Sequence, residues 1–222
     1  MSSSVGESSL PVIPPPDNFQ VVEAVLYASV FDNCHHELLA RLKNMTDNWR
    51  DFKEHEMVYS MRCGTTAERT DPIVRMRRQF SSDTTVWHIR YLGTQNVDDK
   101  CPAVIHSSID SIAYSPNIMS FIKDMNFMLN YEYLMMGNVF CFGTIKVLVY
   151  KVLTVLKAGK YSKDSLIPLT KSFVVEASVP VENEETMFYA KQLKKFCDQL
   201  EPFVKFTKVE YYRPRVTEEE AK

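Results

Sequence analysis

The chain has 222 residues, 45% of them apolar and 24% charged, with a formal net charge of −2. That composition is globular and long enough to bury a sizeable core as one domain. It excludes a generally basic nucleic-acid binder or a polybasic membrane-surface protein, and no run reaches the ~20 apolar residues of a bilayer span.

Residues 1–18 hold Ser2, Ser3, Ser4, Ser8 and Ser9, then Pro11, Pro14, Pro15 and Pro16, with no apolar leader after Met1. Such a composition buries too little apolar surface to order itself, which predicts a disordered tail. Residues 19–212 are expected to form a single domain, and 213–222 an acidic, frayed end. Strands are predicted near 20–31, 54–63, 72–80, 85–92, 103–114, 127–136, 144–156, 171–179 and 203–211. A first helix starts near Asn33 and buries Leu38, Leu39, Leu42 and Met45. A second follows Pro116, with Asn117 at its N-cap and Ile118, Phe121, Ile122 and Met125 on one face. The third runs from about Glu184 to Leu200, with Tyr189, Ala190, Leu193, Phe196, Cys197 and Leu200 as its stripe, and Pro202 stops it.

The stretch Ile145–Leu156 (IKVLVYKVLTVL) carries most of the fold information. β-Branched side chains lose rotamer freedom on a helix and pack well on a pleated sheet, so it reads as a strand. It is about twice the usual strand length and apolar on both faces, which points to a sheet closed on itself or covered outside. Short connections such as Ser81–Thr84 argue antiparallel pairing. The expected architecture is therefore α+β: an antiparallel β-barrel of about eight or nine strands flanked by about three helices. Cys34, Cys63, Cys101, Cys141 and Cys197 are odd in number and scattered, without a CxxC. That fits a reducing compartment with each thiol a small buried hydrophobe, and disfavours a zinc site.

Alternation along the strands sorts the charges. Val74, Met76 and Phe80 share a face, as do Trp87, Ile89 and Tyr91; Arg75, Arg77 and Gln79, then His88 and Arg90, take the opposite ones. Glu54 and Glu56 alternate with His55, Met57, Tyr59 and Met61, while Lys146 and Glu176 sit within other strands. Acids that hold a divalent metal beside cations that hold phosphates are what a phosphate-handling tunnel needs. Glu54-His55-Glu56-Met57-Val58 resembles the ExExK strand of the triphosphate tunnel metalloenzymes, with Val58 in the lysine position. Glu176 stands alone where those enzymes carry an acidic pair, with Ser178 two residues on. A metal-dependent tripolyphosphatase or RNA 5′-triphosphatase using Glu54, Glu56, Arg75, Arg77, Arg90, Lys146 and Glu176 is thus the alternative function. A charged sheet face or structural ion pairs is the leading reading, with no catalytic, metal or cofactor residues. No P-loop, GxSxG, HExxH or GxGxxG occurs.

Four stretches together resemble the Mediator complex subunit 18 family. They are His55-Glu56-Met57-Val58, Arg75-Met76-Arg77-Arg78, Trp87-His88-Ile89-Arg90-Tyr91-Leu92-Gly93, and the run from Gly137 through Phe140, Gly143 and Lys146 to Val149-Tyr150-Lys151-Val152. Met125-Asn126-Phe127 to Glu132 keeps the spacing ahead of Gly137, and Asn126 and Met136 are modest departures. The resemblance covers roughly residues 19–210. It implies an antiparallel barrel similar to that of the tunnel phosphatases, in a non-enzymatic subunit of the nuclear Mediator head module. Such a subunit acts as a coactivator component bridging gene-specific regulators and RNA polymerase II. The implied partners are Mediator subunit 20 and the C-terminal helix of Mediator subunit 8, with no membrane and no direct sequence-specific nucleic-acid contact. Which residues meet each partner does not follow from the resemblance.

Overall fold

A computed structural model describes residues 20–61, 72–80, 86–96, 98–155, 161, 165–182 and 185–209. Nine strands and three helices are laid down in the order β1 (Gln20–Phe31), α1 (His35–Met45), β2 (Trp49–Met61), β3 (Ile73–Gln79), β4 (Trp87–Asn96), β5 (Val104–Ala113), α2 (Ile118–Asp124), β6 (Phe127–Phe142), β7 (Ile145–Val155), β8 (Leu166–Pro168), β9 (Ser172–Pro180) and α3 (Thr186–Asp198). All pairings are antiparallel. The sheet order is β6-β2-β3-β4-β5-β1-β9-β7-β8, and β6 also pairs with β7, so eight strands close into a barrel and β8 extends one wall.

The strand rich in β-branched residues is β7, and closure explains why both its faces are apolar. Val147 and Val149 point outward into the main core, while Leu148 and Tyr150 point into the bore. On the outer side of β1, β9, β7 and β6, Ala24, Leu26, Val175, Ala177 and Phe140 meet Leu38 and Leu42 of α1 and Ala190, Leu193 and Cys197 of α3. A smaller cluster on the outer side of β2, β3 and β4 packs Tyr59, Met76 and Trp87 beneath Ile118 and Ile122 of α2. Both cores therefore lie outside the barrel wall, between sheet and helix.

Several expectations are corrected. Of the strand expected at 203–211, residues 203–209 form none: Thr207 makes a single bridge to Tyr27, and residues from 210 on lie outside the described ones. Sequence patterning missed β8, which is three residues long. β6 reaches Phe142, six residues past its expected end, because its second half pairs with both β2 and β7. On α2 only Ile118 and Ile122 are buried, whereas Phe121 and Met125 face solvent. Asn117 makes no side-chain cap; its backbone N–H donates instead to Ser115 Oγ. Cys34 is exposed, Cys101 and Cys197 are buried, and Cys63 lies outside the described residues, as do Ser81–Thr84.

Candidate functional site

Strand register decides which side chains enter the bore. Glu56 stands opposite Arg77 and Tyr133, Arg75 opposite Val58 and Arg90, Arg90 opposite Asp110, and Glu23 opposite His106. On the far wall Lys146 faces Ser178 and Leu148 faces Glu176. All seven residues singled out in the sequence, Glu54, Glu56, Arg75, Arg77, Arg90, Lys146 and Glu176, thus lie on the inner face. A cavity of about 400 Å³ opens among Glu54, Glu56, Arg75, Arg77, Arg90 and Asp110.

Glu23, Glu54, Glu56 and Asp110 on the inner face are paired with Arg75, Arg77 and Arg90. Glu56, fully buried, accepts two bonds from Arg77 (Nε 2.8 Å, Nη2 2.6 Å, both to Oε2), one from Arg75 Nη1 (3.2 Å) and one from Tyr133 Oη (2.6 Å, to Oε1). Burial alone would push its carboxyl pKa up, but the Arg77 and Arg75 guanidiniums and the Tyr133 hydroxyl outweigh burial and hold it below the usual carboxylate range. Burial and the neighbouring Glu56 hold the Tyr133 hydroxyl far above the ordinary phenol range. Arg77 also reaches Glu54 (3.4 Å). Arg90 grips Asp110 through two 2.7 Å bonds and lies 3.6 Å from Glu23. Glu176 is half-buried on the inner face, and desolvation raises its pKa even with Lys146 and Arg77 nearby.

A metal-bound tunnel needs carboxylate oxygens turned toward a shared ion. Here the Glu56 oxygens already receive four bonds, and among the described residues no three His, Cys, Asp or Glu side chains stand close enough to share a metal. Val58 faces the bore where an ExExK lysine would stand, and Ser178 takes the place of a second late-strand acid. Among the described residues the inner cations (Arg50, Arg75, Arg77, Arg90, Lys146) equal the inner acids (Glu23, Glu54, Glu56, Asp110, Glu176) in number, so the bore holds little net charge to draw a polyphosphate.

Sequence reasoning missed Glu23, Asp110 and Tyr133. Glu23 and Asp110 had a usable signal, since each is a lone acid inside a β-rich run, and a lone acid on a barrel strand calls for a cation across the ladder. Tyr133 had none: only the β2–β6 register brings it to Glu56.

A second polar cluster sits on the outer wall. His55 is 1% exposed; its Nε2 lies 2.9 Å from Glu132 Oε2, which also accepts the Tyr161 hydroxyl at 2.8 Å. Burial pulls the His55 pKa down, against Glu132, and burial with the Glu132 bond pushes Tyr161 up to about 12. His55 Nδ1 has no hydrogen-bond partner among the described residues.

Comparison with known proteins agrees with this geometry. The model of the Med18 protein family matches residues 22–83 and 61–213. The chain is 33% identical over 201 residues to Mediator of RNA polymerase II transcription subunit 18 from Caenorhabditis elegans, covering 88% of this chain and 86% of the relative. It is 33% identical over 195 residues to the Danio rerio protein of the same name, covering 86% and 89%. Among solved structures it is similar to a chain of the Schizosaccharomyces pombe Mediator head module (TM-score 0.71, 16% identical, 85% of this chain and 98% of that one). A more distant likeness, in fold alone, is to a putative adenylyl cyclase from Hippeastrum with a dominant triphosphatase activity (TM-score 0.54, 8% identical, 87% and 92%). With one family model spanning nearly the whole barrel and relatives a third identical along it, the chain belongs to the Mediator subunit 18 family.

Proposed function

We infer that the chain is a structural, non-enzymatic subunit of the Mediator head module, part of the nuclear coactivator that bridges gene-specific regulators and RNA polymerase II. The observation that carries this reading is family membership on a barrel whose inner charges pair with one another. The partners it would hold are Mediator subunit 20, itself a barrel, and the C-terminal helix of Mediator subunit 8. An assembly role also fits the large apolar groups left at the surface, among them Phe31, Tyr114, Phe121 and Phe188.

The test is co-expression with subunits 20 and 8, then affinity capture on a tag of this chain and size exclusion. A three-chain complex eluting as one peak is expected. A lone, monodisperse chain that captures neither subunit would overturn the assignment. The tunnel-enzyme reading has only the distant fold likeness behind it, because Glu54 and Glu56 are engaged by Arg77 and Arg75 and the late-strand acid Glu176 has Ser178 where a second acid would stand.

A further inference from the structure

β3 and β4 carry four arginines among the described residues, and three of them hold carboxylates: Arg75 and Arg77 that of Glu56, Arg90 that of Asp110. Arg78 holds none. It is half-buried, makes no hydrogen bond or ion pair among the described residues, and keeps its Nε buried without an acceptor. Its guanidinium lies 5.0 Å over the ring of Trp87, its neighbour on β4, where stacking fixes the plane without taking up a donor. The two terminal nitrogens, unlike Nε, are open to solvent.

Across its other ladder Arg78 faces His55, and two residues before His55 on the same outer face stands Lys53, exposed and also without a carboxylate among the described residues. The Phe80 N–H donates to the Lys53 carbonyl at 2.9 Å, which sets these two residues opposite each other and fixes the register. Lys53 and Arg78 are therefore diagonal neighbours, about 7 Å apart. The acids of this wall are bound elsewhere: Glu132 to His55 and Tyr161, Asp51 to Asn138. A half-buried cation loses hydration that an opposite charge would offset, and none of the described residues supplies one to Arg78.

We propose that Arg78 and Lys53 form a docking site for an acidic, extended peptide segment of a partner protein, with Asp or Glu at alternate positions. One carboxylate accepts from the Arg78 fork and the next from Lys53. Alternate side chains of an extended chain are about 7 Å apart, which matches the diagonal. Carboxylates fit better than phosphates, since Glu132 and Asp51 stand nearby and two dianions would leave the wall strongly negative. A nucleic acid fits worse, because no aromatic face is open to a base: Trp87 is 6% exposed beneath Arg78, and the Tyr161 ring packs on His55 and Phe80. The assignment goes beyond the assembly reading and does not depend on which head subunits bind.

Fluorescence anisotropy of the full chain with a labelled dodecapeptide, Glu at every second position between Ser and Gly, tests it. Arg78→Gln and Lys53→Gln should each weaken binding at least about tenfold. Arg78→Lys should recover little, because it keeps the charge without the fork, and Lys191→Gln on the exposed face of α3 should change nothing. A second readout leaves the arginine intact: in a Trp49→Phe chain, whose one remaining tryptophan is Trp87, the peptide should shift the emission. If Arg78→Gln fails to fold, Lys53→Gln and the emission shift decide. Absence of binding by the unaltered chain overturns the proposal, as does binding that both folded glutamine variants retain. So does a phosphoserine peptide of the same spacing that binds where the Glu peptide does not, or an RNA oligonucleotide that outcompetes the Glu peptide at Arg78. Binding that appears only once residues 210–222 are removed also overturns it, identifying the chain's own acidic end as the occupant.

Discussion

Gly137 on β6 stands directly across the ladder from Tyr150 on β7, and a Cβ on Gly137 would lie 2.0 Å from the Val149 carbonyl oxygen and 2.6 Å from Tyr150 Cα. On its other side Gly137 faces Phe52 of β2, whose ring lies 6.2 Å from that of Tyr150. The space that a side chain at position 137 would fill is taken by the β7 backbone at Val149 and Tyr150. This glycine thus lets the closing seam come together.

Gly137→Ala should therefore destabilise the barrel by about 3 kcal/mol, since backbone rather than a flexible side chain must give way. At this chain length that corresponds to a melting temperature roughly 6–10 °C lower. Gly143→Ala is the control: it has positive φ (62°), but nothing lies within 4 Å of its Cβ position, so its cost is backbone strain alone, about 1 kcal/mol. Equal losses at the two positions would refute the close-approach account.

How far the sequence could be read follows from these same strands. β1 and β7 were legible to within a residue because long β-branched runs have no helical reading. The charged face was legible as a face, since Arg75, Arg77, Glu54 and Glu56 alternate strictly. What alternation cannot say is which face turns inward. Here the charged face is the inner one and the apolar face is covered by helices, the reverse of a simple sheet with its apolar side in. Register hid Tyr133 from the Glu56 site, and tertiary packing, not local pattern, decides that Phe121 is exposed while Ile122 is buried.

Glu56 accepts from three side chains at once, so Glu56→Ala should take that shared acceptor from Arg75, Arg77 and the Tyr133 hydroxyl and leave Arg77 its longer contact with Glu54. Breaking a fully buried pair from one side costs about 3–5 kcal/mol; both arginines here are partly solvated, so the loss should be smaller, about 2 kcal/mol. Glu56→Gln keeps the shape and one acceptor oxygen and should cost less. Urea denaturation of both variants checks this; a Glu56→Ala midpoint indistinguishable from the unaltered chain would show the pairs to be solvated after all.

Buried His55 and His106 set a pH dependence. Burial lowers both pKa values below the ordinary 6.5, so the unfolded chain binds more protons than the folded one. Their contribution is complete above pH 6.5 and declines as pH falls from 6.5 toward the folded-state values. Glu176, with a raised pKa, acts in the opposite sense above the ordinary carboxyl value of 4.5. The comparison is therefore best made as a difference. Urea midpoints measured at pH 7.5 and 5.5 should fall more for the unaltered chain than for His55→Gln, and equal falls would remove His55 from the account.

Phosphate release gives the sharpest check on the bore. Hydrolysis in a tunnel of this kind needs an ion-binding carboxylate pair and a cation left free for the phosphates. Glu56 is saturated by its own arginines, Arg90 is clamped by Asp110, and Val58 supplies no cation. The purified chain should therefore release no phosphate from tripolyphosphate or triphosphate-ended RNA with Mg²⁺ or Mn²⁺. Val58→Lys alone should not create activity, because the added cation would compete with Arg75 for Glu56, whose oxygens Arg75, Arg77 and Tyr133 already fill. Release that is metal-dependent and lost in Glu56→Gln would show that the ion pairs open to admit substrate, and the scaffold reading would fall with them.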